Sequence, residues 1–73
     1  MTDRDFDAYN FIISYIQENG YPPTVREIAD GIGVTSTATV CNHLTKLECD
    51  GWIKTKLSSS RAIKVIGYKF VKE

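Results

Sequence analysis

Residues 20–44 read GYPPTVREIADGIGVTSTATVCNHL, and the punctuation of this stretch decides the fold. Tyr21-Pro22-Pro23 is a stiff extended link, because a proline fixes its own φ and restricts the residue before it. Thr24 then reads as a helix N-cap, and Glu27 three residues on completes a capping box. Val25, Ile28, Ala29 and Ile32 give a short helix over 25–32 with one apolar stripe. Gly31 inside it costs up to about 1 kcal/mol relative to alanine, and Gly33 ends it and permits a tight turn. Thr35 or Ser36 can cap a further helix over about 37–49, whose apolar stripe is Val40, Leu44 and Leu47. The opposite face of that helix carries Ala38, Asn42, Thr45 and Cys49, flanked by Thr39, Cys41 and Lys46. These are small or uncharged polar groups with a single base. Asp50-Gly51 stops the helix.

Upstream, Phe6, Tyr9, Ile12, Ile13 and Ile16 follow helical spacing and predict a helix over about 3–19. Asp3, Asp5 and Asp7 crowd its first turns, where carboxylates suit the helix dipole, and Asn19-Gly20 stops it. Ala8, Phe11 and Tyr15 fall roughly opposite the first set, so this helix is apolar on two sides. The second side then needs a cover, either the tail of the chain or another subunit. Downstream, the pattern changes to period two. Ile53, Thr55 and Leu57 alternate with Lys54 and Lys56, Ser58-Ser59-Ser60 is a polar turn, and Ile63 and Val65 flank Lys64. This predicts a hairpin over 52–66 with a basic outer face, followed by an apolar tail over 67–73.

Helix, helix, tight turn, helix and basic hairpin make a mainly α winged helix-turn-helix, with a two-stranded wing. It is expected to occupy residues 1–73 as a single domain, since 73 residues and 8.2 kDa allow no second one. The composition is that of a folded chain, 42% hydrophobic and 25% charged. There is no apolar run long enough to span a membrane and no apolar leader at the N-terminus, so a cytoplasmic location is expected. Cys41 and Cys49 are too few for a disulfide framework and are expected to stay reduced. Net charge is zero, but it is unevenly distributed. Residues 1–33 hold six acids against two bases, and residues 34–73 hold seven bases against three acids. That asymmetry predicts a polarised surface with one anion-seeking side. A helix about 10–12 Å across fits a major groove of about 12 Å. Small residues on its outer face permit close approach to base edges, and a basic hairpin can reach phosphates.

Gly20-Tyr21-Pro22-Pro23-Thr24-Val25-Arg26-Glu27-Ile28-Ala29 resembles the DNA-binding domain of LexA repressors. So do Ser36-Thr37-Ala38-Thr39-Val40-Cys41-Asn42-His43-Leu44, then Leu47-Glu48, Gly51 and Ser60-Arg61-Ala62-Ile63-Lys64-Val65. The resemblance covers about residues 5–66 without an evident gap. It implies sequence-specific binding of double-stranded DNA by a small transcription regulator, a repressor of bacterial or phage type. The family's base-reading positions fall here on Ser36, Ala38, Thr39, Cys41 and Asn42. Asn42 is the strongest candidate, because an amide can bond adenine bidentately. Ala38 and Thr39 can touch a thymine methyl, and Cys41 is given no base. Backbone contacts are expected from Thr24, Arg26, Thr35, Thr37, Lys46, Lys54, Lys56 and Arg61, the hydroxyl and basic groups that bond phosphate. Family members add a C-terminal self-cleaving Ser-Lys peptidase domain that also dimerises them. A chain ending at Glu73 has no room for it, so the resemblance implies DNA binding and not self-cleavage. Whether these residues are a whole protein or a domain of a longer one stays open.

Plainer readings stand beside these. His43 sits about 60° from the core stripe of its helix and reads as a half-buried structural or phosphate-facing side chain rather than a catalytic one. Cys41, His43 and Cys49 lie on one helix, point in different directions and lack a fourth partner, so no metal site is expected. The wing lysines could be a solvated strand face, and Lys46 could simply complement the helix dipole. Trp52 reads as core or wing-root packing, and Tyr21 as a staple of its loop. Tyr68 and Phe70, with Phe11 and Tyr15, form an apolar set that predicts either a homodimer face or packing of the tail on the first helix. No cofactor, small-molecule substrate or membrane partner is expected. With no nucleophile–base pair and no phosphate loop, an enzyme is not expected either. The competing function is a winged-helix protein-interaction module that does not bind DNA, which zero net charge would suit.

Overall fold

The computed structural model describes residues 2–55 and 63–67. Three helices precede a small sheet: α1 (Asp3–Asn19), α2 (Val25–Ile32), α3 (Thr37–Cys49), β1 (Ile53–Thr55) and β2 (Ile63–Val65). All three helices have the bounds that the sequence predicts, and the local chemistry accounts for them. Thr24 caps α2 with a full capping box: its hydroxyl accepts from the Glu27 N–H at 3.2 Å, and the Glu27 carboxylate accepts from the Thr24 N–H at 2.8 Å. Gly20 and Gly33 close α1 and α2 at φ 80° and 77°, a left-handed conformation that costs a glycine little.

Two local expectations change. The sequence pattern left the start of α1 without a cap, yet Thr2 caps it, again through a capping box, with Asp5 in the third helical position. Ser36 does hold the N-cap position of α3, but its side chain makes no cap hydrogen bond.

β1 and β2 pair antiparallel, with Ile53 opposite Val65, Lys54 opposite Lys64 and Thr55 opposite Ile63. Ile53 and Val65 are buried while both lysines are exposed, so the period-two reading of the wing holds where it is described. Leu57, Lys56, the Ser58-Ser59-Ser60 turn and Arg61 lie outside the described residues, as do Tyr68 and Phe70.

The core is Ala8 and Ile12 of α1, Ile28 and Ala29 of α2, Val40, Leu44 and Leu47 of α3, and Ile53 and Val65 of the sheet. Ala8 therefore belongs to the centre of the core rather than to a second face of α1. With Asp5 and Ile12 it forms an i, i+3, i+7 stripe that is wholly buried. The flank of α1 that carries Phe11 and Tyr15 packs in part against α2 and the link before it. Phe11 packs over Gly31 of α2. Tyr15 donates its hydroxyl to Glu27 Oε2 at 2.9 Å, and its ring stands edge-on to Tyr21 at 5.8 Å. Phe11 and Tyr15 thus find partners inside the chain. α2 crosses this flank of α1 at a glycine.

Candidate nucleic-acid interface

The tight turn between α2 and α3 spans Gly33 to Ser36, and the Val34 N–H returns to the Ala29 carbonyl at 3.0 Å. This turn sets α3 across α2, with Val40, Leu44 and Leu47 inward. The opposite side of α3 is open: Ala38, Asn42, Thr45 and Cys49, at helical spacing, are all exposed. Ser36 and Thr37 at the helix start and Thr35 in the turn are exposed too, while Thr39 and Cys41 are half-buried on the flanks. The Thr45 hydroxyl donates to the Cys41 carbonyl at 2.9 Å, folding that side chain back on its own helix. Ser36, Ala38, Thr39 and Asn42 therefore sit within two turns of one helix, on its uncovered side and its edge.

The basic side chains expected at a nucleic-acid backbone are spread around this helix. Arg26 on the first turn of α2, Lys46 near the end of α3 and Lys54 on β1 are all exposed. Lys64 stands directly across from Lys54 and shares its outer face. The Thr24 hydroxyl is engaged as acceptor in the α2 cap, although a hydroxyl retains one proton to donate. At Ser36 the N-terminal N–H groups of α3 receive no side-chain cap. Lys56 and Arg61 are outside the described residues.

Three further residues hold the interface in shape, and two of them, Glu48 and Asp5, have no such role in the sequence reading. Glu48 accepts from both the N–H and the hydroxyl of Thr55, each at 3.2 Å, joining α3 to β1. Trp52 packs at the wing root, as expected, but on α1: its ring stands edge-on to Phe6 at 5.8 Å and to Tyr9 at 5.3 Å. The Trp52 backbone N–H donates to the Leu47 carbonyl at 2.9 Å, and the Trp52 carbonyl accepts from the Ile66 backbone N–H at 2.9 Å. The third is Asp5. It is completely buried, and its Oδ1 lies 2.5 Å from His43 Nδ1, while Oδ2 accepts from the Thr2 N–H at 2.9 Å. Burial by itself would raise this carboxyl. The hydrogen bonds from the Thr2 backbone, His43 and the Thr2 side chain, with the nearby Lys46 charge, outweigh it and hold the group at about 2 against an ordinary 3.8. With Asp5 ionised, the imidazole nitrogen is the donor. A Thr-x-x-Asp signal at the start of a helix could have exposed the cap, but not the partner 38 residues away.

Cys41 and Cys49 are free thiols. Among the described residues no three His, Cys, Asp or Glu side chains gather as a metal site, and no helix is long and apolar enough to cross a membrane.

Residues 1–62 match the family described as LexA DNA binding domain. The chain is 47% identical over 62 residues to a LexA repressor of Ligilactobacillus salivarius, covering 85% of this chain and 30% of that protein. It is 47% identical over 64 residues to a LexA repressor of Clostridium botulinum and 50% identical over 64 residues to one of Clostridium kluyveri. Those two alignments cover 88% of this chain and 32% of each relative. The chain thus spans about a third of the length of the curated relatives it matches. With a family match over residues 1–62 of its 73, the chain belongs to the LexA DNA-binding domain family.

Proposed function

We propose that this chain binds double-stranded DNA sequence-specifically and acts as a transcription repressor. In this reading α3 enters the major groove and the wing lies along the phosphate backbone. The observation that carries it is the uncovered stripe of α3, made of small and uncharged polar side chains between exposed bases, in a chain of the LexA DNA-binding domain family. Amides and hydroxyls hydrogen-bond base edges in the major groove, and small apolar groups touch the thymine methyl. Asn42 reads a base pair through its amide, with Ser36, Ala38 and Thr39 beside it. Arg26, Lys46 and Lys54, with Thr24, Thr35 and Thr37, bond phosphates, and Lys56 and Arg61 extend that set. Phosphates supply most of the affinity, so binding falls steeply with salt.

Selection from random duplexes at moderate salt tests this. An enriched inverted repeat establishes a symmetric homodimer reading two half-sites a helical turn, or a multiple, apart. A single enriched half-site establishes a monomeric reader. No enrichment, with binding lost at modest salt, overturns the proposal in favour of a protein-interaction module.

A further inference from the structure

We propose that Asp5 is a positioning residue for the DNA-reading face of α3, acting through His43; the proposal rests on the DNA-binding reading above. The contact between α1 and α3 is largely apolar, with Ala8 and Ile12 on one side and Val40, Leu44 and Leu47 on the other, all buried. Apolar burial is non-directional and by itself leaves α3 some freedom to turn about its axis. The Asp5–His43 bond removes that freedom. Among the described residues no other side-chain hydrogen bond joins α1 to α3. Both ends of the bond are held. Asp5 is fully buried in the first turn of α1, with its second oxygen on the Thr2 N–H. The His43 side chain is only 12% exposed. It lies next to Asn42 in the chain and one turn after Thr39, and the Lys46 charge one turn further on acts on the same carboxylate.

The scale decides what this does for recognition. A helix is about 10–12 Å across with its side chains, so a rotation of ~10° moves an outward tip by about 1 Å. A binding constellation tolerates about 0.5 Å or 10–20°. Long lysine side chains follow a phosphate through such a rotation, whereas the short Asn42 amide does not follow a base edge. Freeing α3 therefore costs selectivity before it costs non-specific affinity.

The variants separate geometry from charge. Asp5→Ala removes the anchor and leaves a partly exposed imidazole and the Thr2 N–H without their partner. His43→Ala leaves a buried carboxylate without its partner and is the harsher change. Asp5→Asn retains an oxygen for the Thr2 N–H and an amide that donates to His43 Nδ1 in its other tautomer. Thr2→Ala weakens the α1 cap and leaves the His43 bond in place. The experiment measures, for each variant at a temperature where circular dichroism shows it folded, affinity for the duplex selected by the wild type and for a random duplex of equal length. We expect Asp5→Ala to lower the ratio of the two about tenfold, with random-duplex affinity and salt slope within about twofold of wild type. Asp5→Asn recovers most of the ratio, and Thr2→Ala lowers the melting temperature but not the ratio. If Asp5→Ala does not fold, the double variant Asp5→Ala/His43→Leu, which leaves no unpaired buried group, carries the same comparison. A folded Asp5→Ala, or that double variant, with the wild-type ratio overturns the positioning role while DNA reading stands. A wild-type protein with a ratio of one overturns both.

Discussion

Phe11 of α1 lies against Gly31 of α2 so closely that a Cβ on the glycine would overlap the edge of the phenyl ring. The glycine is helical, and its position is set by this crossing. Gly31→Ala gains up to about 1 kcal/mol of helix propensity but overpacks the contact, which costs about 1–3 kcal/mol. We expect a net loss of about 1 kcal/mol in urea unfolding. Adding Phe11→Leu to Gly31→Ala should recover part of it, and full additivity of the two losses would contradict the contact.

Asp5 gives the fold an acid-sensitive element whose sign is fixed. Its carboxyl is held at about 2 in the folded chain against an ordinary 3.8. A depressed folded value means stabilisation that is complete above the unfolded value and lost as pH falls through the folded one. The difference in urea midpoint between wild type and Asp5→Asn should therefore shrink progressively as pH falls from about 5 to about 2. A gap that persists undiminished at pH 2 would refute the ionised, hydrogen-bonded carboxylate.

The two proposed kinds of DNA contact have different signatures. Asn42→Ala should weaken binding to the selected duplex by about 1–3 kcal/mol and relax preference at one base pair. Lys54→Ala should weaken all sequences alike and reduce the salt slope by about one. Titrations of both variants on selected and random duplexes at several salt concentrations separate the cases.

The helix caps are unequal. Thr24 carries a capping box and Ser36 makes no cap hydrogen bond. Thr24→Ala should cost about 1 kcal/mol, while Ser36→Ala should stay within about 0.5 kcal/mol, as surface changes do. Thermal unfolding ranks the two, and equal losses would be evidence for a cap at Ser36.

What the sequence reveals here follows the range of the interactions. Thr24 with Glu27, Asn19-Gly20 and Gly33 each act within a turn of helix, so the bounds of all three helices are legible in the chain. The exposed stripe of α3 is legible for the same reason, since one periodic segment fixes which side chains share its open face. Contacts between segments are not. Asp5 looks like one of three acids suiting a dipole, and only the packing of α1 on α3 brings it to His43. Phe11 and Tyr15 look unpartnered until α2 crosses them at Gly31 and Glu27. Ala8 is too small to signal a core position by hydrophobicity, yet it lies at the centre of the buried stripe of α1.

The register of the wing has a consequence for how the protein behaves in a crowd. A sheet of two strands consists of edges alone, and β1 and β2 are both short and carry isoleucine and valine on their inner side. Such ribbons invite a neighbour's strand to add to them. The middle residue of each strand is an exposed lysine, and the two stand opposite one another. A strand arriving at either side would bring its own lysines against this charge, and charged edge residues of this kind discourage lateral pairing. The exposed charge that suits an anion thus also works against edge-to-edge pairing of two copies.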